Sequence, residues 1–196
     1  MTDQILLALA GFAFVTSVTP GPNNMMLLAS GANFGVRRTV PHMLGISLGF
    51  GVMVMILGLG VDRLIASSPA LAQAMKWLSL GYMAWLAWKI ANAGQPRSEG
   101  ADRGRPLTFL QAAAFQWVNP KAWAMGLGAL SAYAAGAGGA VVVALVFALV
   151  NLPAVSIWAM LGQQMRSLLS TPARLRLFNV SMAVLLVATM LPVAMH

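Results

Sequence analysis

Two short stretches carry most of the polar chemistry of an otherwise apolar chain. Thr19-Pro20-Gly21-Pro22-Asn23-Asn24 lies between two apolar runs, and Asn119-Pro120-Lys121 interrupts another. A third stretch, Asn151-Leu152-Pro153, sets one more amide beside a proline. A hydroxyl, several amides and one ammonium make a set of hydrogen-bond partners, with the ammonium suited to a carboxylate. Bond-breaking chemistry is not indicated, because no nucleophile, base or metal ligands cluster in the sequence. The absence of cysteine excludes disulfides and thiolate metal sites, and the two histidines, His42 and His196, have no nearby carboxylate to complete a zinc site. No enzyme activity, cofactor or metal is therefore expected.

Only 8% of the 196 residues are charged and the mean hydropathy is +0.78, whereas a soluble domain has about 25% charged residues. The chain reads as an all-α integral membrane protein with the lipid bilayer as its surroundings. Its net charge of +8 would also suit nucleic acid, but the basic residues fall in short clusters between apolar segments. That distribution is the signature of membrane orientation, and no nucleic-acid partner is expected. The start, Met1-Thr2-Asp3-Gln4, lacks the basic region of a cleaved signal, so the first apolar run is expected to stay.

Six spans are predicted, over about 5–34, 42–61, 70–91, 109–133, 140–161 and 175–195. The first has about 30 residues, or about 45 Å of helix, which exceeds a hydrocarbon core of about 30 Å. Pro20 and Pro22 each remove a backbone donor and clash with the preceding turn, so this helix must break. Lipid tolerates the freed groups only where protein or a wet cavity serves them, which makes the break the wall of a pathway or binding site. Residues 35–41, with Arg37, Arg38 and Pro41, read as a basic loop. Gly45 and Gly49 in span two have the four-residue spacing of close helix packing. Trp77, Trp85 and Trp88 in span three resemble interfacial anchors. A turn at Asp62-Arg63 and Ser67-Ser68-Pro69 separates spans two and three. Span four is broken at Asn119-Pro120-Lys121, and Asn151-Pro153 predicts a kink in span five.

The chain thus divides into a three-helix half over 1–91, a linker over 92–108 rich in glycine and proline, and a second three-helix half over 109–196. Arg37, Arg38, Lys89, Arg97, Arg103, Arg105, Arg166, Arg174 and Arg176 follow spans one, three and five, which is nine of the twelve lysines and arginines. Those loops should face the cytoplasm, with both termini outside. An odd number of spans per half requires the halves to insert in opposite directions. Broken helices at corresponding places in inverted halves, here helices 1 and 4, point to a transporter site near the bilayer midplane.

The ordered set Thr19-Pro20-Gly21-Pro22-Asn23, Gly31, Gly35, Gly45, Gly81-Tyr82, Ala87-Trp88-Lys89 and Asn119-Pro120-Lys121-Ala122 resembles the LysE/RhtB family of bacterial amino-acid exporters over nearly the whole chain. The resemblance implies a multi-pass protein of the bacterial inner membrane that exports amino acids or their relatives, with the proton as coupling ion. Many members carry an aspartate after Pro-Gly-Pro, where this chain has Asn23. None of Asp3, Asp62, Glu99 and Asp102 falls within a predicted span. A strongly cationic substrate would find no counter-charge in the membrane, so a neutral zwitterionic amino acid or derivative is favoured. The same gap leaves proton coupling without an obvious carrier and keeps a passive channel or facilitator for small zwitterionic metabolites as the alternative.

Each candidate residue has a structural role to weigh against contact with substrate. Thr19, Asn23 and Asn24 can bond a substrate carboxylate or amine, while Asn23 can instead cap the second half-helix and Asn24 can bond a neighbouring helix. Pro20, Gly21, Pro22 and Pro120 shape the breaks. Asn119 suits the N-cap of the helix resumed at Pro120. Lys121 lies about 18 Å into span four, where it either attracts a carboxylate, sheds its proton during the cycle, or bonds carbonyls freed by the break. Asn151 can face the same cavity. Gln116 and Asn179 read as interhelical hydrogen-bonders. His42, at the cytoplasmic mouth of span two, is the other candidate proton acceptor, set against a plain interfacial histidine. Whether the chain acts alone or as a homodimer stays open. Because the chain has no cysteine, single cysteines report sidedness directly. In intact cells an impermeant maleimide should label Ser68→Cys and spare Ser98→Cys, and the opposite pattern would reverse the orientation.

Overall fold

The computed structural model describes residues 2–61, 68–93, 105–134, 138–189 and 191. Among these, all regular structure is helical: α1 (Asp3–Val18), α2 (Pro22–Phe34), α3 (Val36–Ile56), α4 (Pro69–Ala91), α5 (Phe109–Gln116), α6 (Pro120–Tyr133), α7 (Gly139–Met165) and α8 (Pro172–Ala188). A turn of π-helix, Leu57–Val61, extends α3. Asp62, Arg63 and Ser67 of the expected turn, most of the linker (94–104) and residues 190 and 192–195 of the last expected span lie outside the described residues.

The first helix breaks where its prolines require. α1 ends at Val18, α2 begins at Pro22, and the two axes meet at 59°. Pro22 and Pro120 each start a helix, the one place where a missing N–H costs nothing. The expected loop over 35–41 is instead helix. Only Gly35, at φ +80°, separates α2 from α3, and the Val36 N–H donates to Gln163 Oε1 at 2.7 Å. Pro41 sits inside α3, where it removes a single bond, to the carbonyl of the exposed Arg37 in the first turn. Pro153 likewise lies within α7, which continues through it as one helix.

Val36–Gly60 and Gly139–Met165 are long and apolar enough to cross a membrane, and the bent α1–α2 pair meets the same measure as a third candidate. The spans expected over 70–91, 109–133 and 175–195 do not meet it on the described residues. Lysines and tryptophans dilute α4, the break divides α5 from α6, and α8 is described for only 17 residues. Trp77, Trp85 and Trp88 are exposed, as anchors would be.

Small residues set the helix crossings. Gly31 of α2 faces the carbonyl of Ala159, and Gly162 of α7 faces the carbonyl of Leu28, so α2 and α7 touch through their backbones. Gly45 and Gly49 bring α3 against Phe109 and Ala113 of α5, the close packing their spacing predicts. α1 also packs on α7, and α4 packs on α8. The apolar interior forms two clusters, one around α2, α4 and α8 and one around Phe50, Phe147, Leu9 and Met125.

A Cβ at residue 162 would have to displace backbone atoms of α2, whereas nothing lies within 4 Å of one at residue 81. Overpacking of this kind costs about 1–3 kcal/mol or more, while Gly→Ala in an open helix position gains about 0.5–1 kcal/mol. Gly162→Ala should therefore unfold several degrees below the native chain in detergent, and Gly81→Ala at or slightly above it. Equal unfolding temperatures would remove the close-contact account of the α2–α7 crossing.

Candidate functional site

At the end of α1 several carbonyls lose their helical partners. Side chains from three other helices serve them. Asn24 Nδ2 donates to the carbonyls of Ser17 (3.0 Å), Val18 (3.4 Å) and Thr19 (2.6 Å). Trp158 Nε1 of α7 donates to Val18 at 3.1 Å. The Lys121 ammonium, from the first turn of α6, donates to the carbonyl of Thr19 and, at 3.4 Å, to that of Pro20. The second break is served in the same manner: Gln116 Nε2 donates to Ala112 at 2.8 Å and Trp123 Nε1 to Trp117 at 2.8 Å.

The two breaks also bond to each other. Asn23 Nδ2 donates to Gln116 Oε1 at 2.9 Å, and Gln116 Nε2 donates back to Asn23 Oδ1 at 3.2 Å. Deeper in, Asn151 accepts from Ser47 at 3.1 Å and donates to Ser17 at 3.0 Å, which ties α3, α7 and α1 together. Between these groups lies a narrow, partly open cleft. Gly21, Asn23, Asn24, Asn119, Lys121 and Asn151 line it, with Ser17 and Gln116 as further polar groups and Phe50, Ala122, Met125 and Val155 as apolar wall. No acidic residue is among them. The N-termini of α2 and α6 both open on the cleft and add a positive field to the Lys121 charge.

Several expected residues take roles that the sequence left open. Gly21, not Asn23, stands at the N-cap of α2, because Pro22 takes the first helical position and pushes Asn23 one place inward. Asn24 bonds the neighbouring α1, as its helix-bonding alternative had it. Asn119 caps α6 by accepting from Lys121 N at 3.2 Å. The carbonyls that Lys121 bonds belong to the first break rather than its own. Gly21 makes this possible, since a Cβ there would lie 2.5 Å from Lys121 Cδ. Thr19 and Pro20 are exposed, contribute their carbonyls to Lys121, and are absent from the cleft lining. Gln116 and Asn179 do bond across helices, Asn179 reciprocally with Asn33 and with the Ala93 carbonyl.

His42 is buried in the protein rather than lying at an open helix start: it is 1% exposed, and among the described residues neither ring nitrogen has a hydrogen-bond partner. With α3 starting at Val36, His42 falls in its second turn, on the face of Gly45 and Gly49 that meets α5. It is not part of the cleft lining. Ser17, Phe50 and Val155 were not singled out from sequence. Ser17 alone offered a signal, as a hydroxyl two residues before the Thr19-Pro20 break. Among the described residues no three of His, Cys, Asp and Glu gather as metal ligands.

A polar cleft between two interrupted helices in a largely apolar chain is an arrangement suited to a membrane translocator. The chain belongs to the LysE type translocator family, whose model matches residues 14–194. It is similar to proteins named cysteine/O-acetylserine efflux protein from Escherichia coli (strain K12) and Shigella sonnei (strain Ss046). Each is 37% identical over 134 residues, which cover 68% of this chain and 67% of the relative. No solved structure matches the chain.

The reciprocal Asn23–Gln116 pair makes a direct prediction. Truncating either partner strands an amide, fully buried at Gln116 and half-buried at Asn23, at a cost of up to about 1–3 kcal/mol. Asn23→Ala and Gln116→Ala should each lower the unfolding temperature, and the double variant should lose less than the two single losses together, with a coupling of about 0.5–3 kcal/mol. Strict additivity in that double-mutant cycle would show that the pair is not a unit.

Proposed function

We propose that this chain is a secondary transporter that exports neutral, zwitterionic amino acids or close derivatives across the bacterial inner membrane. The observation that carries the reading is the cleft between two facing helix breaks, where Lys121 and two helix N-termini supply positive charge and no acid opposes them. The substrate carboxylate binds Lys121, and Asn23, Asn24 and Asn151 offer hydrogen bonds around it. A lysine-like substrate is disfavoured, because its second ammonium would meet Lys121 with no carboxylate near. The relatives' names agree in chemistry, since cysteine and O-acetylserine are both small neutral zwitterions.

Six spans in two inverted halves remain our reading of the topology. Part of the packing supports it: α1 lies on α7 as α5 lies on α3, while α3 meets α7 and α4 meets α8. Exchanging the halves exchanges these contacts, although α2 packs far more extensively on α7 than its counterpart α6 does on α3. Substrate enters from the cytoplasm between the breaks, and relative movement of the halves exposes it outside. The proton gradient drives the cycle in this reading, with His42 or Lys121 as carrier. His42 is the stronger of the two for a role apart from substrate binding, since it is buried, without a hydrogen-bond partner among the described residues, and outside the cleft.

In proteoliposomes the native chain should exchange labelled O-acetylserine or cysteine saturably, and Lys121→Gln should raise the half-saturating concentration about tenfold or more, the equivalent of about 1.4 kcal/mol. Unsaturable flux that merely follows the substrate gradient would favour a passive facilitator, the alternative that the acid-free cleft keeps in play. A rate indifferent to an imposed pH gradient would remove proton coupling while leaving the carrier intact.

A further inference from the structure

The last carbonyls of α1 fall into two groups by the donors that serve them. Ser17 and Val18 are bonded by uncharged groups, the Asn24 amide and the Trp158 indole, on helices fixed by close packing. Thr19 and Pro20 bond an ammonium at the end of a long flexible side chain, in an exposed position beside the cleft. Thr19 also takes one Asn24 hydrogen bond. A cationic donor on the negative end of a helix is a favourable arrangement. Here that cation is also the only charge that the cleft lining offers to a substrate carboxylate. With two of its three hydrogens on these carbonyls, Lys121 has one left for a carboxylate and can meet it in full only by leaving them.

We infer that the Thr19 and Pro20 carbonyls are the subsite for the substrate's α-ammonium, and that the Lys121 ammonium occupies that subsite whenever the carrier is empty. The inference rests on the reading of the chain as a carrier of zwitterionic amino acids. An arriving carboxylate draws the Lys121 ammonium off the carbonyls, and the substrate's own ammonium, with three donors, takes its place. Every charged group keeps a partner of opposite sign or dipole through the exchange. A carboxylate without an amine would leave the α1 end bare. An amine without a carboxylate would have to displace Lys121 and leave it unpaired. The substrate class is therefore α-amino acids with both groups free, and the same device keeps the empty cleft filled by the chain's own cation. Gly21 belongs to the device, because it leaves room for the Lys121 side chain to lie across the break.

The test uses O-acetyl-L-serine together with its deaminated analogue, 3-acetoxypropionate, and its decarboxylated analogue, O-acetylethanolamine. In counterflow by the native chain, each analogue should need at least a tenfold higher concentration than O-acetylserine to inhibit by half. Lys121→Met vacates the carbonyls, so O-acetylethanolamine should raise the unfolding temperature of this variant in detergent while leaving the native chain unmoved. Should Lys121→Met not fold, the competition series on the native chain decides alone. Inhibition by 3-acetoxypropionate equal to that by O-acetylserine overturns the ammonium subsite and leaves the carrier reading standing. Failure of O-acetylserine both to exchange and to stabilise the native chain removes the carrier reading for this substrate, and the subsite with it.

Discussion

A helix that stops inside an apolar protein leaves its last carbonyls in need of new partners, and much of this structure answers that one requirement. α1 stops because Pro20 and Pro22 cannot continue it. Its last carbonyls are then met by side chains of other helices. Asn24 reaches back from α2, Trp158 comes from α7 and Lys121 comes from α6. Three helices are thereby fixed around one helix end, and the polar groups they bring form the cleft. The hydrogen bonds are individually weak in membrane proteins, about 0.6 kcal/mol each on average. Their effect is to set position more than to supply stability.

What could be read in advance divides along the range of the interaction responsible. The breaks at Pro20 and Pro120 were legible because proline acts through its own covalent geometry on adjacent turns. The cap at Asn119 and the glycine crossing at Gly45 and Gly49 follow from equally local rules. Pro41 shows the limit of that reasoning, since the same residue type is tolerated near a helix start at the loss of one bond. Reading it as a loop also set His42 at the start of its helix, whereas it falls in the second turn of α3. The pairing of Asn23 with Gln116 spans 93 positions of sequence and left no local trace. Nor does composition say that Lys121 bonds the opposite break rather than its own.

The amide at residue 23 is informative in that setting. As a pair, Asn23 and Gln116 each give and accept one hydrogen bond and carry no charge. An aspartate in its place would accept from Gln116 and return nothing, leaving Gln116 Oε1 without its donor. It would also bring a negative charge into a cleft whose polar lining is otherwise neutral apart from Lys121. The chain's polar groups thus form a consistent set, in which a neutral amide pair and a single cation go together.

The backbone contact of Gly31 with Ala159 and of Gly162 with Leu28 constrains any motion as well as the resting packing. Two helices held so closely have no layer of side chains between them to slide or repack. Because α2 belongs to the first half and α7 to the second, movement of one half against the other must turn about this crossing rather than slide along it. In the carrier reading, the crossing of these two helices is the fulcrum of the cycle.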